Sequence, residues 1–262
     1  MTGEMDLEMT SPAPSGDRRQ RKGVYRALGN VLMGVAVGLL AYYLVTDIVA
    51  GAEQRSLRDG LSELGVVGTP GPATQIPVQT GPTMDFSGWA SEDKAYWDSL
   101  ENGQVFGRLV APKMGLDAAV VKGATPRTLQ RGPGWITTTS LPGPTGNCAI
   151  SGHRTTYGAP FRRIDRMKPG DMVDLYSPYR RYRYRVVKSF AVRPWQVEVL
   201  RPTDVPTLTL TACHPPYSAA YRLIVQSELV EYHPSAPFVR QYAARWFRCH
   251  AVSGKGAAYL TT

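Results

Sequence analysis

Thr207-Leu208-Thr209-Leu210-Thr211-Ala212-Cys213-His214-Pro215, followed after a short gap by Tyr221-Arg222-Leu223-Ile224-Val225, reads as two neighbouring β-strands. Leu208, Leu210 and Ala212 alternate with Thr209, Thr211 and Cys213, and a strand's period of two sends the first set into a core and the second outward. Cys213 therefore stands on the accessible face. In the second segment Leu223 and Val225 alternate with Arg222, Ile224 and Gln226, so the Arg222 guanidinium falls on the face away from the aliphatic core. One strand delivers a thiol, and its neighbour a cation, to the same outer surface.

A third element lies upstream in Gly146-Asn147-Cys148-Ala149-Ile150-Ser151-Gly152-His153-Arg154, a short apolar run punctuated by glycine. With Ile150 pointing inward, the same parity turns His153 outward. A free thiol with a pKa of about 8.5 is mostly un-ionised near neutrality, and a neighbouring imidazole and guanidinium favour the thiolate. The imidazole also gives a proton to a leaving amine and takes one from an incoming amine, a contribution of roughly 10²–10⁴-fold in rate. Arg222 then stabilises an oxyanion or holds substrate backbone. The candidate catalytic set is Cys213 as nucleophile, His153 as general acid and base, and Arg222 for oxyanion and substrate. His214 is a rival base because it adjoins Cys213. Adjacent strand residues point to opposite faces, however, so it is read as shaping the strand end. His233 and His250 have no comparable context and are read as structural or solvent-exposed.

The order His153, Cys213, Arg222 is set in the words Ser151-Gly152-His153-Arg154-Thr155-Thr156-Tyr157-Gly158-Ala159-Pro160-Phe161 and Thr209-Leu210-Thr211-Ala212-Cys213-His214-Pro215. In that setting it closely resembles the sortase family. Gly107-Arg108-Leu109-Val110-Ala111-Pro112, Gly132-Pro133-Gly134, Leu141-Pro142-Gly143 and Lys168-Pro169-Gly170-Asp171 extend the likeness over residues 104–233. Cys213-His214-Pro215-Pro216-Tyr217-Ser218 makes the chain most similar to the class E sortases of actinobacteria. The resemblance implies a closed β-barrel of about eight strands with short helices between them. It also implies a cysteine transpeptidase that cleaves a Leu-Pro-x-Thr-Gly-like sorting signal after Thr through a thioester. Its partners are then secreted proteins carrying a C-terminal sorting signal and an amine acceptor of the cell wall. Class E likeness implies a Leu-Ala-x-Thr-Gly preference and a peptidoglycan-precursor amine. A lysine on a pilin subunit is the alternative acceptor, and would make the protein a pilus polymerase. An L,D-transpeptidase also uses a wall-facing cysteine, but Thr211-Ala212-Cys213 does not reproduce its Gly-Cys motif. A non-catalytic barrel that only binds surface proteins is the remaining rival, against which an intact triad argues.

The residues themselves point the same way on fold. Short segments rich in Val, Leu, Tyr and Thr at 105–112, 118–121, 148–152, 172–176, 182–192, 207–211 and 222–230 are separated by Gly and Pro turns, a spacing that predicts a mainly β barrel. Residues 27–46 carry no charge, and as a helix they would span about 30 Å. Arg18, Arg19, Arg21, Lys22 and Arg26 precede this segment, whereas Asp47 and Glu53 follow it, which places the N-terminus in the cytoplasm and the bulk of the chain outside. An uncleaved anchor is favoured over a cleaved signal because the apolar stretch exceeds an ordinary signal core. The predicted organisation is a cytoplasmic tail at 1–23, a membrane helix at 24–48, a linker at 49–100, a catalytic domain at 101–235 and an extension at 236–262. Within the linker, 53–64 reads as a short amphipathic helix. The proline-punctuated 65–83 in extended form reaches up to roughly 60 Å. In the extension, Val239, Tyr242, Ala243, Trp246 and Phe247 form one helical stripe.

A net charge of +9 invites a nucleic-acid reading, but the basic residues are scattered, and Tyr179-Arg180-Arg181-Tyr182-Arg183-Tyr184-Arg185 reads as an exposed strand with a solvated basic face. No nucleic acid is expected as a partner. Three cysteines and four histidines lack a Cys-x-x-Cys pair or a His-Glu-x-x-His helix, so neither metal nor cofactor is expected. Cys148 is read as a small core residue and Cys249 as an exposed one, a disulfide between them being possible but unsupported.

Overall fold

Alternating apolar residues between 105 and 234 close eight strands into one barrel. The structure is a computed structural model that describes residues 16–63, 92–178 and 180–234. The strands are β1 (Val105–Ala111), β2 (Leu116–Lys122), β3 (Gly134–Trp135), β4 (Asn147–Ser151), β5 (Met172–Tyr176), β6 (Arg180–Val192), β7 (Thr207–His214) and β8 (Tyr221–Pro234). Their order around the barrel is β1-β2-β3-β4-β7-β8-β6-β5, and β5 pairs back onto β1. Closure leaves no free sheet edge running the length of the molecule. The mainly β, closed eight-strand barrel expected from sequence is present.

Strand parity fills the interior. Leu109, Val120, Ile150, Val173, Tyr182, Tyr184, Leu208, Leu210, Leu223 and Val225 all belong to the buried core. Trp97 of the short helix α2 (Glu92–Ser99) joins it, stacked on Phe106 at 5.4 Å, and Phe106 stacks on Trp135 at 4.9 Å. Trp97 Nε1 donates to the Phe106 carbonyl at 3.3 Å, so the indole is buried with its polar atom satisfied. Seven of the eight strands coincide with predicted segments. The two-residue β3 escaped because two residues carry no periodicity. At its first residue an added Cβ would lie 2.2 Å from the Gly123 carbonyl oxygen, which explains Gly134.

The helix α1 runs Gly16–Glu63 and contributes to two units, one ending at Val45 and one beginning at Thr46. In the first unit Val24, Leu28, Val31, Leu32, Val35, Leu39 and Leu40 are all exposed. This helix is long and apolar enough to cross a membrane. In the second unit residues 46–63 pack on the barrel. Leu57 and Leu61 are buried with Ala119 and Val121 of β2. Gln54 accepts from the Ala119 N–H at 3.1 Å and donates to its carbonyl at 3.3 Å and to the Arg131 carbonyl at 2.7 Å. Because β3 is so short, Ala119 has no strand neighbour on that side, and the Gln54 amide takes the place of a peptide group. Glu53 pairs with Arg131 at 3.1 Å. The helix thus extends through the stretch read as amphipathic. The predicted 65–83 linker, the helical stripe of the 236–262 extension with His250 and Cys249, and residues 1–15 lie outside the described residues, as does the side chain of His233.

The basic run in β6 is a correction to the sequence reading. Arg180, Tyr182 and Tyr184 are buried, and the outward Arg181 and Arg183 are neutralised by Asp174 at 2.9 and 2.8 Å, with Glu231 3.1 Å from Arg183. The face carries ion pairs instead of being solvated, because β5 and β8 bring carboxylates opposite it. Deleting residues 1–45 should leave the thermal midpoint of the barrel within about 2 °C. Deleting 1–63 should lower it by roughly 5–15 °C, since two buried leucines and the Gln54 bonds are lost. Equal midpoints in calorimetry would show that the packed helix adds nothing to stability.

Candidate active site

The candidate residues lie on β7, on β8 and just past the end of β4. Cys213 and Arg222 are register partners across the antiparallel β7–β8 ladder. On the other side β4 and β7 pair in parallel through Ser151 and Thr211, and Gly152 N–H donates to the Thr211 carbonyl at 3.1 Å. His153 and Cys213 each lie two residues beyond that pair. Beyond that point Arg154 Nη1 donates to His214 Nδ1 at 2.8 Å, a side-chain contact between the residue after His153 and the residue after Cys213. Cys213 and Arg222 thus face each other on β7 and β8, and His153 lies two residues past the end of β4 on the other side of β7.

Local sequence explains the placement of His153. An added Cβ at Gly152 would sit 2.8 Å from the Phe161 ring, which is wholly buried, so only glycine lets the core close there. Phe161 N–H returns to the His153 carbonyl at 3.0 Å, folding the intervening segment into a tight loop. Tyr157 and Ala159, neither of them glycine, take φ of 52° and 42° within it, a conformation L-residues reach only under constraint. The Asp47 carboxylate accepts from Gly158 N–H at 3.1 Å and helps to hold the loop. The loop brings the Tyr157 ring to 5.2 Å from the His153 ring.

The electrostatics differ from residue to residue. His153 is half-buried, burial holds its pKa below the ordinary value, and its Nε2 is buried with no hydrogen-bond partner. Arg222 is half-buried and donates from Nη1 to the Ala219 and Tyr221 carbonyls, both at 3.1 Å, which steadies a fork whose other N–H groups can bind an incoming oxygen. Cys213 is a free, partly accessible thiol. Cys148 is free but only 1% exposed, and burial pushes its thiol far up, so it is the inert core residue expected of it. Thr209 and Thr211, predicted to face outward with Cys213, are buried. A 3-10 turn at Val197–Leu200 lies over that face, where Val199 accepts from Asn147 at 2.9 Å and Gln226 at 3.3 Å. The outer face is therefore roofed along most of β7 and open at the Cys213 end.

Two residues escaped the sequence reading. Arg154 is 4% exposed, whereas a lone arginine after a strand reads as surface. Tyr157 shows no sequence pattern that would place it on the histidine. No group of three or more potential metal ligands occurs among the described residues.

Residues 109–230 match the family model described as Sortase domain. Sortase SrtE1 of Streptomyces coelicolor is 30% identical over 152 residues, covering 52% of this chain and 43% of that protein. Sortase SrtE2 of the same organism is 28% identical over 263 residues, covering 88% of this chain and 94% of the relative. Among solved structures, sortase E1 from Streptomyces coelicolor with a tripeptide in the active site is 29% identical, with a TM-score of 0.49 over 52% of this chain and 93% of that one. The chain thus spans less than half the length of the first of these relatives. Residues 109–230 form a domain of the sortase family, with class E sortases among its relatives.

Proposed function

We propose that the protein is a membrane-anchored cysteine transpeptidase that cleaves a Leu-Pro-x-Thr-Gly or Leu-Ala-x-Thr-Gly signal after Thr and transfers the protein to an amine of the cell wall. The observation that carries this reading is the pairing of Cys213 with Arg222 across β7 and β8, with His153 two residues past the end of the neighbouring β4, at the open end of an otherwise roofed face. Cys213 passes its thiol proton to His153 as its sulfur attacks the Thr carbonyl, and the oxyanion that forms is met by Arg222 N–H groups. His153 gives its proton to the departing glycine amine as the C–N bond breaks, leaving a thioester on Cys213. An acceptor amine then attacks the thioester, His153 takes up its proton, and the thiolate leaves. Water in place of the amine gives slow hydrolysis. The class E resemblance of the sequence implies a peptidoglycan-precursor amine as the acceptor.

The domain organisation follows the same logic. Basic residues before the apolar helix and acidic ones after it support a cytoplasmic N-terminus and an extracellular barrel. Residues 1–23, 24–48, 49–100, 101–235 and 236–262 serve as tail, anchor, connecting segment, catalytic domain and extension, with part of the connecting segment helical and packed on the barrel.

The full chain in detergent, incubated with either peptide and diglycine, should give an acyl adduct on Cys213 and a ligated product by mass spectrometry. Cys213→Ala should give neither, and Arg222→Ala should lower kcat by roughly 10²–10³-fold. Cleavage persisting in Cys213→Ala would sink the assignment. Faster turnover with a pilin lysine peptide than with diglycine would favour pilus polymerisation.

A second expectation concerns pH. Because burial holds His153 below its ordinary pKa of 6.5, the unfolded chain takes up the proton first as pH falls. The stability associated with the neutral imidazole is present above about pH 6.5 and declines as pH drops towards the folded-state pKa. The melting temperature of the native chain relative to His153→Gln should therefore fall between pH 7.5 and pH 5. Parallel curves would show that His153 titrates as in solution.

A further inference from the structure

Beyond Ser151 and Thr211 no backbone ladder holds β4 to β7 except the Gly152 bond, yet the two residues that must meet during the reaction, His153 and Cys213, lie past that point. What spans the gap is a pair of side chains on the opposite face. Arg154 follows His153, His214 follows Cys213, and Arg154 Nη1 donates to His214 Nδ1 at 2.8 Å. Arg154 Nη2 reaches Asp165 at 3.1 Å, where the carboxylate belongs to the 3-10 turn Ile164–Arg166 and is half-exposed. The guanidinium itself is buried, and its Nε is buried with no hydrogen-bond partner. A buried guanidinium held by one half-exposed carboxylate and one imidazole gives a fold little stability of its own. Its geometry, by contrast, is definite. The planar fork has only N–H donors, so His214 must accept at Nδ1 and carry its proton on Nε2.

We propose that Arg154 and His214 form a positioning bridge that sets the separation of His153 and Cys213. The bridge touches neither substrate nor the reacting atoms. It acts through the backbone of two consecutive residue pairs, 153–154 and 213–214, and Asp165 orients its arginine from the far side. The inference rests on the roles given above to His153 and Cys213. A misplacement of the pair by about 1 Å costs on the order of 10²-fold in rate, with little effect on a peptide bound mainly elsewhere.

The test is kinetic, on the full chain in detergent with a sorting peptide and diglycine. His214→Ala should lower kcat roughly ten- to hundredfold with KM within about threefold. His214→Asn, whose Oδ1 can accept where Nδ1 does, should stay within about threefold of the native kcat. Arg154→Ala should lower kcat as His214→Ala does, and the double variant should be no slower than the slower single, because both remove one bond. Thermal midpoints taken alongside separate misfolding from mispositioning. The bridge is overturned by unchanged kcat in His214→Ala, by an equal loss in His214→Asn, or by additive losses in the double variant. Iodoacetamide alkylation of Cys213 gives a readout independent of substrate: its rate should change in both alanine variants and not in His214→Asn. If the native chain processes neither peptide, the transpeptidase reading fails, and an alkylation rate equal in all four proteins would overturn the bridge as well.

Discussion

The parallel pairing of Asn147–Ser151 with Thr207–Thr211 is the constraint on which the site depends, and a buried amide locks it. Asn147 is fully buried; its Nδ2 donates to the Val199 and Arg201 carbonyls at 2.9 and 3.2 Å, and its Oδ1 accepts from Thr209 Oγ1 at 2.7 Å. A slip of one residue would leave these polar atoms unpaired in the interior, where each costs about 1–3 kcal/mol. It would also exchange the two faces of β7, turning Cys213 inward and Ala212 outward. The same amide that fixes register ties down the turn that roofs the outer face. Register and enclosure are thus two consequences of one residue, and the accessible end of β7 is what remains after both are satisfied.

Burial separates the two described cysteines by role. Cys148 and Cys213 lie on neighbouring strands, but Cys148 has inward parity and Cys213 outward parity. Low dielectric keeps the first protonated and unreactive. The second stands at the open end, with an imidazole strand on one side and a guanidinium strand on the other. His153 combines a lowered pKa with an orphaned Nε2, a state that favours neutral imidazole at rest and makes it a ready proton acceptor and donor once substrate arrives. The order of strands, β4-β7-β8, sets Cys213 opposite Arg222 and brings the end of β4, just before His153, alongside them.

Period-two alternation made β7 and β8 readable because both have one core face, and it set Cys213 and Arg222 opposite each other, as their register has them. It failed where its premise failed. Thr209 and Thr211 look solvent-facing to a pattern that knows only two faces, but a third layer covers them. The arginines of β6 look like a solvated surface until Asp174 and Glu231 arrive from strands distant in sequence. Arg154 and Tyr157 were hidden for a related reason. Each owes its position to a return of the chain, through His214 in one case and through the 154–161 loop in the other, and no local pattern encodes such a return. The two-residue β3 was too short to register at all, although Gly134 marks the close approach that permits it.

That short β3 has a consequence for the rest of the molecule. A strand of two residues leaves Ala119 of β2 with an N–H and a carbonyl facing outward, an exposed edge of the kind that invites pairing with another chain. Gln54 covers it, and Leu57 and Leu61 seal the apolar side. The same stretch of α1 carries Asp47, two turns earlier, which holds Gly158 in the loop that lays Tyr157 on His153. One helical segment, directly after the apolar span, therefore both closes a gap in the barrel wall and braces the loop beside the histidine. An anchor joined to its barrel by an unstructured tether alone could do neither. Residues 46–63 are therefore part of the barrel's own architecture.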